Sequence, residues 1–173
     1  VIDIDAEFAA AGLKSAPEES SLLAVSNGTS ALIYLHPDRA ADADAVLGFL
    51  NDQAWAGAVL AGDDLRAIGQ APEGALLCAV SMHSDDRTNA YGVPGISAAA
   101  RPTVGKPDRL GCGQHGGLGA YEQMPFLMIQ GLGFGRGSVG VEPSSVIDLA
   151  PTILAHLGLP AEGCEGKALQ GRV

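Results

Sequence analysis

The stretch from Gly111 to Gly131, GCGQHGGLGAYEQMPFLMIQG, holds the side chain best placed to do chemistry. His115 stands there among Gly111, Gly113, Gly116 and Gly117. Imidazole is the commonest metal ligand and a general base near neutral pH. Glycines carry no Cβ, so backbone, solvent or a phosphate can come close to the ring. The other reading is a loop histidine hydrogen-bonded to backbone. An apolar run, Phe126 to Ile129, follows. The junction of a loop and a strand is where α/β proteins place their sites.

Other stretches offer weaker chemistry. HSDDRTN, residues 83–89, clusters His and Asp that suit a cation, but it reads better as a solvated, Asp-rich loop tip. GRGSVG, residues 135–140, matches G-x-G-x-x-G, yet Glu142 and Pro143 follow directly and no helix opens there. It is read as a glycine-rich loop between strands. His36 beside Pro37 and His156 at the end of a helix are structural or exposed positions. No G-x-S-x-G occurs, so a serine-hydrolase elbow is set aside. Cys78, Cys112 and Cys164 form no C-x-x-C pair. Their odd number and wide spacing argue against a disulfide framework and against a cysteine zinc site. Cys112 draws notice because it lies three residues before His115.

These residues need elements to hold them. DIDAEFAAAGL, residues 3–13, predicts a short helix capped by Asp3 or Asp5 and ended by Gly12. KSAPEES is a polar linker. LLAVSNGTSALIYLH predicts two strands around Asn27-Gly28. Residues 39–51 carry helical spacing at Ala43, Val46, Leu47 and Leu50. WAGAVLA is a strand, Gly62-Asp63-Asp64 opens a short helix ending at Gly69, and GALLCAVS is another strand. Residues 21–80 thus form a compact subdomain in the order β-β-α-β-α-β, with helices on one face of a small sheet.

Residues 81–124 then lose periodicity, and a segment so long and turn-rich is functional or disordered. PFLMIQ, residues 125–130, predicts a strand buried on both faces. Asp148 caps a final helix with Pro151 in its first turn. Ile153, Leu154 and Leu157 are its expected buried stripe, and Gly158 with Pro160 stops it. Leu169 is the apolar anchor of the polar tail.

Composition bounds the functions available. With 173 residues and 47% hydrophobic content, the chain builds a core and is not disordered. Its 24 glycines and 10 prolines imply many turns, and Ala, Val and Leu fill a core with few aromatics. A net charge of −10 repels phosphate backbones and excludes nucleic acid as the main partner. No apolar run approaches the roughly 20 residues of a membrane span, and no signal peptide is evident.

Four segments together resemble a known family. They are GQHG at Gly113–Gly116, PFLMIQGLGF at Pro125–Phe134, DLAPTILAHLGLP at Asp148–Pro160, and G..L at Gly166–Leu169. Their order and spacing are similar to the C-terminal signature of the alkaline phosphatase superfamily, in its type I phosphodiesterase/nucleotide pyrophosphatase branch. More loosely, the helix ending AGL and the hairpin NGTSALIYLHPD also resemble that branch.

The resemblance implies an α/β/α sandwich with a small α/β insert. Residues 1–20 would be a helix and linker of the core, 21–80 the insert, and 81–173 the C-terminal part with the metal-ligand loop. It implies two divalent cations, zinc, held by Asp and His, with a Thr or Ser nucleophile from the N-terminal half. By position His115 is the last of the ligands. The glycines would make room at a metal cluster, and the next strand would join the central sheet.

No DHG segment is present, so the resemblance reaches only the C-terminal portion of such an enzyme. The parent would hydrolyse phosphodiester or pyrophosphate bonds of a small-molecule phosphate ester. The isolated chain, with a single ligand, is expected to be inactive and to associate with itself or with the missing N-terminal half. Within the family, sulfate esters and phosphonates are the alternative substrates. Outside it, the alternative is a non-catalytic α/β domain that binds a ligand or partner.

Overall fold

The computed structural model of the protein describes residues 1–102, 105, 111–131 and 133–171. Residues 103–104 and 106–110 of the long polar segment lie outside the described residues, as do Leu132, Arg172 and Val173. The chain divides into two units, Val1–Pro125 and Phe126–Val173.

In the first unit, Asp3 accepts the Ala6 amide at 3.1 Å and caps helix α1, Ile4–Ala10. Ile4 and Phe8, four residues apart, are its buried face. The Leu13 amide bonds back to the Phe8 carbonyl at 2.9 Å and that of Gly12 to Ala9 at 3.1 Å. This Schellman closure requires a left-handed residue, and Gly12 supplies it with φ +74. The polar linker is tightly fixed. Lys14 is buried, and its ammonium donates to Asp5 Oδ1 at 2.8 Å and to the carbonyls of Pro17 at 2.9 Å and Leu22 at 2.6 Å.

A four-stranded antiparallel sheet follows, built from β1 (Leu22–Asn27), β2 (Ser30–Leu35), β3 (Ala56–Ala61) and β4 (Leu76–Met82), in the spatial order β1-β2-β4-β3. The β1–β2 turn is Gly28-Thr29, one residue later than the Asn27-Gly28 expectation, because Asn27 still pairs with Ser30. Gly28, with φ +62, takes the positive angle that the first turn residue needs. Between β2 and β3 a 3-10 turn, Pro37–Asp42, leads into α2, Ala43–Asn51, so the expected single helix over 39–51 has a kink at its start. Helix α3, Asp63–Ala67, joins β3 to β4. The β-β-α-β-α-β order read from the sequence is the one observed.

Period-two alternation decides the core. Leu22 and Ala24 pair with Leu35 and Ile33, and Ile33 pairs with Cys78. Together with Val46 and Leu50 of α2 and Ile4 and Phe8 of α1, they form one buried cluster. The Phe8 and Phe49 rings meet at 5.8 Å in a tilted pair. Ala100, beside a parallel bridge from Ile2, closes this core from the downstream side. The molecule is thus mixed α/β with a small antiparallel sheet and a few helices.

HSDDRTN is not a loop tip. Ser84–Thr88 is strand β5, paired antiparallel with β6, Pro94–Ser97, and the pairing is irregular between Asp85 and Thr88.

The second unit departs furthest from expectation. PFLMIQ forms no strand. Phe126 is 90% exposed and Met128 85%, whereas a strand buried on both faces was expected. The run has the composition of an inner strand, but Phe126–Val173 holds no described strand to pair with it, and no ladder forms within that unit. Ser145 and Asp148 make a capping box around a 3-10 turn, Val146–Asp148, which leads into α4, Leu149–His156.

The buried side of α4 is also not the expected one. Pro151 and Thr152 are buried, while Ile153 and Leu157 are 58% and 61% exposed. The polar tail selects that face. The Leu169 amide donates to Thr152 Oγ1 at 3.0 Å, Gln170 Nε2 to the Thr152 carbonyl at 2.7 Å, and the Lys167 amide to Asp148 Oδ1 at 2.8 Å. Leu169 is buried, as expected of the tail's anchor. Among the described residues no helix is long and apolar enough to cross a membrane.

Candidate functional site

The loop that carries His115 is fastened to the β1–β2 hairpin by its backbone. The His115 carbonyl accepts from the Thr29 amide at 3.1 Å and from Thr29 Oγ1 at 3.0 Å. That same hydroxyl oxygen accepts the Gly117 amide at 3.0 Å. The Leu118 amide donates to Ser81 Oγ at 2.9 Å, at the end of β4. Gln123 Nε2 then braces the Gly117 carbonyl at 3.0 Å.

The glycines are what allow this approach. A Cβ on Gly116 would stand 2.6 Å from the Asn27 carbonyl oxygen and 2.7 Å from Ser30 Oγ. On Gly117 it would meet Thr29 Oγ1 at 2.9 Å and collide with the Glu122 carboxylate. On Gly28 it would lie 2.6 Å from the His115 carbonyl oxygen. Their Cα hydrogens sit where one backbone crosses another. This is a local reason for the glycines, separate from the room at a metal cluster that the family pattern implies.

The His115 side chain takes no part in the fastening. It is exposed, and among the described residues no hydrogen bond to the ring is found. Nearby, one carboxylate oxygen of Glu122 is buried without a partner among the described residues. Cys112 is exposed and lines a cleft of about 730 Å³ with Gln114, Tyr121 and Glu122. Cys78 is its opposite: burial pushes the thiol up to about 12, so it behaves as an inert core side chain.

The other candidates resolve locally. Asp85 accepts from Arg87 Nε at 2.8 Å and pairs with Arg87 Nη2 at 2.7 Å, which holds its carboxyl below the usual carboxylate range. His83 stands 3.9 Å from the same carboxylate. The arginine already neutralises the group a cation would seek. His36 caps the 3-10 turn, its Nδ1 accepting the Asp38 amide at 3.3 Å. His156 ends α4. GRGSVG is a turn in which Ser138 Oγ donates to the Gly135 carbonyl at 2.7 Å, and no helix opens there. Among the described residues no three His, Cys, Asp or Glu side chains converge on a point that would hold a metal.

His115 stands out in the sequence, whereas Thr29, which holds its loop, does not. The available signal was a threonine beside a hairpin glycine, where a buried hydroxyl needs partners. Comparison with known proteins found no matching family model, no matching curated protein and no matching solved structure.

Proposed function

We infer that this chain is the C-terminal portion of a metal-dependent hydrolase of phosphodiester or pyrophosphate bonds, built on an alkaline-phosphatase-like α/β/α sandwich. The observation that carries this reading is the state of His115. Its carbonyl accepts two hydrogen bonds from Thr29, while its ring is exposed and makes no hydrogen bond among the described residues. A loop fixed through its backbone, with an imidazole that has no protein partner among the described residues, leaves the ring nitrogens open to a metal whose other ligands come from another segment.

In this reading His115 would hold one of two divalent cations, zinc by family resemblance. Bound cations would polarise the phosphoryl group and lower the pKa of a Thr or Ser nucleophile supplied by the N-terminal half. This chain's part is to fix the imidazole. Thr29 sets the height of the loop, and Ser81 sets its direction along β4. The exposed side chains of Phe126, Met128, Ile153 and Leu157 support association with that half or with a second copy.

The test follows the imidazole by NMR during zinc titration. The ring resonances of His115 should shift, weakly and saturably, and the shift should vanish in His115→Ala. The isolated chain should not hydrolyse bis-p-nitrophenyl phosphate. Fusion to a segment carrying the nucleophile and remaining ligands should create that activity, and His115→Ala should remove it. Zinc binding that leaves His115 unmoved, or a fused enzyme indifferent to His115→Ala, would defeat the reading.

A further inference from the structure

The face of the sheet turned away from α1 and α2 carries one apolar row. Val25 pairs with Leu32, Leu32 with Ala79, and Ala79 with Leu60, one residue from each strand in the order β1-β2-β4-β3. In a pleated sheet, residues in register share a face. Ala79 is the short side chain in the middle of this row, so the floor is lowest between Leu32 and Leu60. Ile68, at the end of α3, and Leu118 stand as walls. The result is a groove of about 330 Å³, within the size range of small-molecule sites.

Two features decide what would lie there. Among the described residues no charged side chain lines the groove, and the polar groups found there, among them Asn27, Ser30 and Ser81, are neutral. In a chain of net charge −10, such a surface rejects an anion and favours an uncharged apolar group. Its wall is also shared with the His115 loop, because Gly116 lines the groove and is the next residue along.

We propose that this groove receives the uncharged, apolar alcohol arm of a phosphate ester whose phosphoryl group lies at His115. This rests on the reading of His115 given above, and it adds a substrate class: esters of apolar alcohols rather than of charged or polyhydroxylated ones. The sheet supplies the specificity, and the loop carries the chemistry beside it.

The experiment is a titration of methyl-labelled protein with 1-naphthol, followed by 1-naphthyl methyl phosphate in the presence of zinc. Methyl resonances of Val25, Leu32, Leu60 and Ile68 should shift together and saturate with naphthol alone. Ala79→Leu, which fills the floor, and Val25→Glu, at an exposed edge position, should each weaken binding about tenfold or more. His115→Ala should leave naphthol binding unchanged and abolish the zinc-dependent gain for the phosphate ester.

Absence of saturable shifts at those methyls, or unaltered binding in Ala79→Leu, would overturn the proposal. Shifts that grow with protein concentration alone would assign the face to a second copy and overturn it as well. If naphthol binds but zinc leaves His115 silent, the ester assignment falls together with the metal reading. If zinc moves His115 but naphthol leaves the groove unmoved, only the groove proposal falls.

Discussion

Glu19 illustrates how much a few short polar contacts do in this chain. Its carboxylate accepts from the Ser21 hydroxyl, from the Ser15 amide at 2.7 Å and from Ser15 Oγ at 2.8 Å, with Arg39 at 3.7 Å. The Ser21 hydroxyl is the largest cause holding its pKa at about 2, against an ordinary 4.5. A carboxylate depressed in the folded state stabilises fully above its unfolded value, and that stability is lost as pH falls through the folded value. Thermal melts from pH 7 down to 2 should therefore show an acid-linked loss between about 4.5 and 2 that is reduced in Glu19→Gln. Identical pH profiles would show that the carboxylate has no net preference for the folded chain. The same serines and arginine turn KSAPEES from a linker in composition into a fixed corner. Arg39 Nη2 also reaches the Leu13 carbonyl at 2.6 Å.

At the scale of elements, the contact between the β1–β2 hairpin and the His115 loop matters most. Thr29 is buried, and its hydroxyl both donates to the His115 carbonyl and accepts the Gly117 amide. Thr29→Val keeps the shape and strands that amide, which should cost about 1–3 kcal/mol in a denaturant titration. Faster hydrogen exchange at Gly117 should accompany the loss. If exchange there does not change, the loop is held by something other than this hydroxyl.

The hairpin itself was legible in the sequence, because Asn27-Gly28 between alternating apolar residues is a local signal. The helices over 4–10 and 149–156 were legible for the same reason, through Asp3, Pro151 and the terminal glycines Gly12 and Gly158. PFLMIQ was not, since an apolar run becomes a strand only when a neighbour completes its ladder, and nothing in the run names that neighbour. The glycines beside His115 announced a close approach but not what they approach. That depends on Thr29 and Asn27, far away in sequence. Ile153 and Leu157 were expected inside because they are apolar. The tail's hydrogen bonds to Thr152 and Asp148 select the other face of the helix.

The whole molecule divides its stability unevenly. The buried cluster of α1, α2 and the sheet lies entirely within Val1–Pro125. Among its described residues Phe126–Val173 has one α-helix, of eight residues, short of what holds a helix unaided, and several exposed large apolar side chains. Amides of β2 and β4 should thus exchange at least about a hundredfold more slowly than those of α4. Equal protection across both would mean that the second unit draws cohesion from contacts not described above.

Lys14 has one more consequence. Its amine is enclosed and engaged with three acceptors, from α1, from the linker and from β1. An acylating reagent can reach that nitrogen only after helix, corner and strand have parted. Lys14 therefore carries a chemical memory of opening: each molecule found acylated there has at some moment lost the corner on which the first unit is assembled.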